Sequence, residues 1–220
     1  MDDDRAILRR RAERMVRLAT LARPVQHDIN NLLTVIFANL EMLRRSASEG
    51  APQRQLDRIQ EAARRFEATS RALLSLARRP VPGEGEVTLT EAVAALRPLL
   101  QVLLPTPGAL EVEDEPDAWP VLIDRALLDD ALLRLAAEVA DTRARGLQLG
   151  LAVANRPGKE PRAGMAELTL RLRVTPSQAA REALGALARQ GGGTVEEVEV
   201  PEGAMLRLLL PRHEPLPSGP

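Results

Sequence analysis

From Met15 to Ala47 the apolar residues fall at alternating intervals of three and four: Met15, Leu18, Ala22, Val25, Ile29, Leu33, Ile36, Leu40, Leu43 and Ala47. That is the period of a helix with one stripe packed against other helices, and it predicts a helix over residues 4–48. Pro24 removes one backbone donor and is expected to bend the helix there. Gly50-Ala51-Pro52 supplies a turn, and a second helix is expected over 53–79, with Leu56, Ile59, Ala63, Phe66, Ser70, Leu73 and Ala77 on one stripe. Pro80-Val81-Pro82-Gly83 stops it. Two helices joined by a short turn make an antiparallel hairpin. A lone hairpin cannot cover both sides of its apolar seam, so a four-helix bundle built from two chains is predicted. Packing of the hairpin against the C-terminal half is the alternative.

Residues 80–87 (PVPGEGEV) have the composition of a linker and place a domain boundary there. Beyond it the pattern becomes mixed. A helix is expected over 88–104, capped by Thr88 or Thr90, followed by short strands at 110–113 and 119–123 and a helix over 125–144. Two strand-like runs follow, 147–155 and 166–174, the second alternating as Leu168, Leu170, Leu172, Val174. Thr175-Pro176-Ser177 opens another helix, Gly191-Gly192-Gly193 closes it, and 194–200 with 204–210 form a hairpin. The fold class is therefore α+β, a sandwich with helices on one face of a mostly antiparallel sheet. The expected division is 1–80, a helical hairpin; 81–212, the sandwich; and 213–220, a disordered tail in which His213 is solvated and idle.

Composition removes several function classes. Lys+Arg is 30 against 31 Asp+Glu, so the whole chain has no bulk field to hold nucleic acid or a membrane surface. With one Trp, two Phe and no Tyr, stacking platforms for single strands are absent. There is no cysteine, which excludes disulfides and thiolate metal sites. The longest apolar stretch, Leu99–Leu104 between Pro98 and Pro105, is far too short to span a bilayer. Met1-Asp2-Asp3-Asp4 is acidic where a secretory leader is basic, so a cytoplasmic location is expected.

The chemistry concentrates in Gln26-His27-Asp28-Ile29-Asn30-Asn31-Leu32-Leu33-Thr34-Val35-Ile36. On a helix, Ile29, Leu33 and Ile36 lie along the seam, while His27, Asn31 and Thr34 share a different face that Ala38 continues. An imidazole on an outward face can attack a phosphoryl group in line. Asp28 beside it is placed to hold one ring nitrogen while the other attacks, and Asn31, one turn on, is placed to touch the phosphoryl group or orient a water.

This segment resembles the phospho-acceptor box of bacterial histidine kinases, in the form His-Asp-x-Asn-Asn-Leu-Leu. Residues 63–80 look like the second dimerisation helix of the same family. Trp119–Asp124 with Leu127–Leu135 resembles the strand and helix that open its ATP-binding domain. The resemblance implies that His27 is the phospho-acceptor, with Asp28 and Asn31 as its chemical neighbours and Asn30, Thr34 and Ala38 as partner contacts. It also implies a C-terminal domain of the histidine-kinase ATPase (Bergerat) type.

That second domain departs from the kinase pattern where nucleotide is held. In the family the opening helix carries a Mg²⁺-binding asparagine; aligned on Leu132-Leu133-x-Leu135 it falls at Glu138, and an earlier asparagine falls at Arg134. The Asp-x-Gly-x-Gly motif is replaced by Arg173-Val174-Thr175-Pro176-Ser177. The next helix reads Ala179-Ala180-Arg181-Glu182-Ala183-Leu184-Gly185, without Gly-x-Gly, and there is no length for a glycine-rich lid. Without such turns nothing cradles phosphates, and without the metal ligand their charge is not neutralised.

An acceptor helix joined to a degenerate ATPase domain resembles the dimeric, ChpT-like histidine phosphotransferases. The function this implies is a phosphorelay step: His27 takes a phosphoryl group from the aspartyl phosphate of one receiver domain and passes it to another, without ATP. No cofactor is expected on this chain; Mg²⁺ is expected from the receiver. The expected partners are response-regulator and hybrid-kinase receiver domains and a second copy of the chain. The alternatives are an active histidine kinase with an atypical nucleotide site and a non-catalytic receiver-binding scaffold.

Overall fold

The computed structural model describes residues 26, 29–31, 33–45, 51–78, 84–140, 146–158, 164–201 and 203–213. The chain divides into two compact units, Met1–Pro80 and Val81–Pro220.

In the first unit, α1 is helical at 26, 29–31 and 33–45, and α2 runs Ala51–Arg78. Leu33 and Leu40, seven residues apart, are 3% and 8% exposed, and Ile29 and Phe37 are half-buried. On α2, Leu74 is buried while Leu56, Gln60, Ala63, Glu67 and Ser70 are half-buried. The guanidinium of Arg44 donates to Gln60 Oε1 at 3.5 Å and lies 4.0 Å from Asp57, which sets the end of α1 beside the start of α2. A second set of apolar residues stays open in the single chain. Ile36, Leu43, Ile59, Phe66 and Leu73 are 42–57% exposed, again at intervals of seven on each helix.

The second unit is an α/β sandwich. Its elements are β1 Glu84–Thr88, α3 Leu89–Leu103, β2 Leu110–Glu113, β3 Pro120–Asp124, α4 Arg125–Ala140, β4 Leu149–Arg156, β5 Met165–Leu172, α5 Gln178–Gln190, β6 Thr194–Glu199 and β7 Ala204–Pro211. The main sheet has the order β2-β4-β5-β7-β6; β2 and β4 are parallel and the other pairs antiparallel. The alternation puts Leu151, Leu170 and Leu206 in one register row and Val153, Leu168 and Leu208 in the next. All six are buried, each leucine contributing about 1.5–3 kcal/mol on transfer from water. The helices bring Leu89, Leu96 and Leu100 from α3, Leu128, Leu132 and Leu135 from α4, and Leu184 and Leu187 from α5 to the same core.

The opposite face is polar. Glu167, 4% exposed, is held there by Arg156, by Arg207 at 3.8 Å and by the Thr169 hydroxyl, which donates at 2.7 Å. Both outer strands of this sheet carry glutamates: Glu111 and Glu113 on β2, and Glu196, Glu197 and Glu199 on β6. Such charges discourage edge-to-edge pairing with other chains.

Several expectations need correction. Residues 84–87, read as linker, belong to β1, which pairs antiparallel with β3 to make a separate two-stranded sheet. A five-residue strand containing one glycine and two glutamates gives no alternation to read; its partner lies more than thirty residues away. Thr88 sits at the N-cap of α3, but its side chain makes no capping bond, and Thr90 instead donates to the Glu115 carbonyl at 2.8 Å. Finally, Arg212 and His213 continue in ordered contact beyond β7. The Arg212 amide donates to Gly164 O at 2.9 Å and the His213 amide to Pro120 O at 2.7 Å. The Arg212 guanidinium lies 5.0 Å from the Trp119 ring centroid, and His213 Nε2 lies 3.9 Å from Glu86. His213 is therefore held against β3 by a backbone bond rather than lying in a loose tail; residues 214–220 lie outside the described residues.

Candidate functional site: the acceptor face and the α4–α5 clasp

His27 and Asp28 lie outside the described residues. Around them, Asn30 and Asn31 are exposed, as are Thr34 and Ala38 further along α1. Leu33 and Leu40 are buried on the opposite side. The positions assigned to partner contact therefore occupy the outward face, as the helical spacing requires. The Thr34 hydroxyl donates to the Asn30 carbonyl at 2.8 Å, a bond to the preceding turn that fixes this side chain along the helix.

In the second unit the positions singled out for their departure from the kinase pattern have structural partners of their own. Arg134 donates to Asp130 Oδ2 at 2.7 Å across one turn of α4; this bond, with the charge of Asp130, raises the guanidinium pKa further above its ordinary value. Glu138, one turn on, reaches off α4. Its Oε2 accepts from the backbone N–H of Ser177 at 2.9 Å and its Oε1 from the Ser177 hydroxyl at 2.5 Å. Ser177 is the N-cap of α5, and its Oγ accepts in turn from the Ala180 N–H at 3.2 Å.

A helix N-terminus gathers unsatisfied N–H groups and favours an anion. Here the anion is a side chain of the neighbouring helix. Ser177 was legible as the start of α5, but its pairing with Glu138 was not, because nothing in either local segment points to the other.

No group of three or more His, Cys, Asp or Glu residues suited to a metal ion occurs among the described residues. No described helix is long and apolar enough to cross a membrane.

Residues 17–80 match the family model described as the His Kinase A (phospho-acceptor) domain. The sensor kinase CckA of Brucella abortus (strain 2308) is 28% identical over 152 residues, which is 68% of this chain and 16% of that protein. A match of that length is longer than the first unit and so extends into the second. Among solved structures, the ATP-binding domain of PrrB from Mycobacterium tuberculosis is 19% identical with a TM-score of 0.45, covering 60% of this chain and 98% of that one. The histidine kinase AdeS of Acinetobacter baumannii is 10% identical with a TM-score of 0.44, covering 86% and 98%. Residues 17–80 are thus similar to the phospho-acceptor domain of histidine kinases, and in this chain they precede an α/β sandwich.

Proposed function

We propose that the chain is a histidine phosphotransferase rather than an ATP-dependent kinase. The observation that carries this reading is the Glu138–Ser177 clasp. Resemblance to the kinases puts the metal-binding asparagine at Glu138 and the glycine-rich motif at 173–177. In this chain those two places are bonded to each other through a carboxylate. A polyphosphate approaching the start of α5 meets a negative charge already seated there, and no metal-ligating amide beside it.

In the proposed reaction a ring nitrogen of His27 attacks the phosphorus of an aspartyl phosphate on a first receiver. The new N–P bond forms as the aspartyl O–P bond breaks, and the freed carboxylate stays on the receiver. Asp28 holds the other ring nitrogen and its proton, and Asn31 orients the phosphoryl group. In the second half the aspartate of another receiver attacks, the N–P bond breaks and His27 regains its neutral form. Mg²⁺ comes with the receiver and neutralises the phosphoryl oxygens. The demand on this chain is mainly positioning, for which Asn30, Thr34 and Ala38 supply the contact face and the sandwich an additional docking surface.

The working form is a homodimer. Ile36, Leu43, Ile59, Phe66 and Leu73 form the open apolar seam that a second copy covers, completing a four-helix bundle.

The test is incubation with a phosphorylated receiver domain from the same genome, followed by assay of acid-labile label on this chain. Transfer onto the protein and then onto a second receiver is expected, with both steps lost in His27→Ala. Label persisting in that variant places the acceptor elsewhere. The similarity to a sensor kinase favours a second reading, an active kinase; micromolar binding of ATP with Mg²⁺ in calorimetry would select it.

A further inference from the structure

The first strand of the sandwich brings little of its own to the unit. β1 reads Glu-Gly-Glu-Val-Thr and has one buried side chain, Val87; Glu84 and Glu86 are exposed and Gly85 has nothing to pack. Its sheet partner is β3, in a two-stranded sheet separate from the main one. Such a pair is marginal in water by itself, and the burial of one valine is smaller than the entropy lost by fixing five backbone residues. The main sheet is built differently: Ala166, Leu168, Leu170 and Leu172 of β5 are all buried against the helices. β1 therefore stays in place only as long as β3 is held where it is.

The two residues after β7 do the holding. The Arg212 N–H donates to Gly164 O at 2.9 Å, extending the β5–β7 ladder one residue past the Met165–Pro211 pair. The His213 N–H then turns to β3 and donates to Pro120 O at 2.7 Å, at the residue opposite Thr88. The Arg212 guanidinium stands 5.0 Å from the ring centroid of Trp119, the residue before β3. That ring lies against Gly164, where a Cβ would collide with it, and the Trp119 N–H donates to Asn155 Oδ1 at 2.9 Å. His213 also reaches β1 itself, with Nε2 3.9 Å from Glu86 Oε2. Both partners of this last contact are solvent-accessible, so it contributes little. The two backbone bonds and the guanidinium over the indole carry the hold.

We propose that Arg212–His213 is a latch on β1. Seated, the latch fixes the start of β3 and keeps β1 paired. Released, it lets β1 leave as a piece while the five-stranded sheet stays closed. Strand ends open more readily than sheet centres, and β1 is the first element of its unit, so α3 and the strands after it keep their own buried contacts. Release adds Glu84–Thr88 to the connection between the two units, about 17 Å of extended chain. The latch thus gives that connection two lengths. It is a property of the sandwich alone and stands or falls apart from the phosphotransfer reading.

Amide hydrogen exchange of the full chain, resolved by mass spectrometry over β1, β5 and β7, tests this. His213→Pro removes the N–H that bonds Pro120, at a position preceded by extended chain that tolerates proline. Arg212→Ala removes the guanidinium and keeps both backbone bonds, and Glu86→Gln removes only the ion pair. Exchange over residues 85–88 is expected to be about tenfold faster in His213→Pro and about threefold faster in Arg212→Ala, with altered Trp119 emission. Glu86→Gln is expected to exchange at the parent rate, and β5 and β7 to keep the parent rate in all three. An unchanged rate over β1 in His213→Pro overturns the proposal. So does a joint acceleration of β1, β5 and β7, which would make the two residues part of the core. Should His213→Pro lose its circular dichroism signal, Arg212→Ala decides by the same two criteria.

Discussion

The Glu138 carboxylate receives both the backbone N–H and the hydroxyl of Ser177, at 2.9 and 2.5 Å, and so joins α4 to the first turn of α5. Glu138→Ala leaves the two Ser177 donors to water and is expected to cost about 1 kcal/mol, read as a lower Tm. In the phosphotransferase reading, neither this change nor Glu138→Asn is expected to confer nucleotide binding, since the glycine-rich turns are still missing. A Tm rise with Mg²⁺-ATP in the asparagine variant would show that one residue alone closes the site.

Ile36 and Phe66 are open in the single chain, whereas Leu33 is enclosed within it. Ile36→Asp or Phe66→Asp is therefore expected to split the dimer while leaving each hairpin helical. Leu33→Asp places a charge inside the hairpin and is expected to unfold it. Light scattering reads the first outcome as a particle of 24.0 kDa, and circular dichroism the second. A parent protein that already scatters as one chain removes the bundle.

Glu167 is enclosed on the sheet's polar face with Arg156, Arg207 and Thr169 around it. Its replacement by alanine removes charge-assisted bonds and should destabilise the sandwich by about 2 kcal/mol in urea titration. Arg156→Gln should cost less, because Arg207 and Thr169 remain and Arg156 is half-exposed. A glutamine change as damaging as the loss of Glu167 contradicts this ranking.

Gly203 has φ +94° and no room for a methyl group: a Cβ there stands 1.9 Å from the Leu172 carbonyl oxygen. Gly203→Ala is expected to cost about 2 kcal/mol or more. Gly108, φ +78°, has nothing within 4 Å of the same position, and its alanine variant should lose only about 1 kcal/mol, from the backbone alone. Similar Tm values for the two variants would mean that the turn before β7 relaxes.

Periodic segments were legible from residues alone. The sevenfold spacing of Leu33 and Leu40 and the alternation of Leu168, Leu170 and Leu172 each announce an element, because burial on one face imposes the repeat directly. The spacing did not say which apolar row closes inside one chain: Ile36 belongs to the same seam as Leu33 by count, yet Leu33 is enclosed and Ile36 is open. Contacts between distant segments were not legible either. β1 exists because residues 120–124 pair with it, and Glu138 finds Ser177 only after two strands have brought α5 beside α4. Of the acceptor face, the outward placement of Asn31, Thr34 and Ala38 followed from helical geometry, while Asn30 entered only through the family resemblance. Their chemical role rests on the family likeness, since the spacing itself is equally that of a solvated surface.

The pairing of β1 with β3, and of His213 with Pro120, has a topological consequence. The segment that brings the chain into the sandwich and the segment that follows β7 touch the same strand, at its two ends: Glu84 is opposite Asp124, while the carbonyl of Pro120 accepts from the His213 amide. Entry and exit are thus held about one short strand apart, roughly 13 Å, a spacing at which a unit can be spliced into a host loop with little stretching of either partner. The sandwich is thus a cassette, with β3 as the clasp that holds both of its ends.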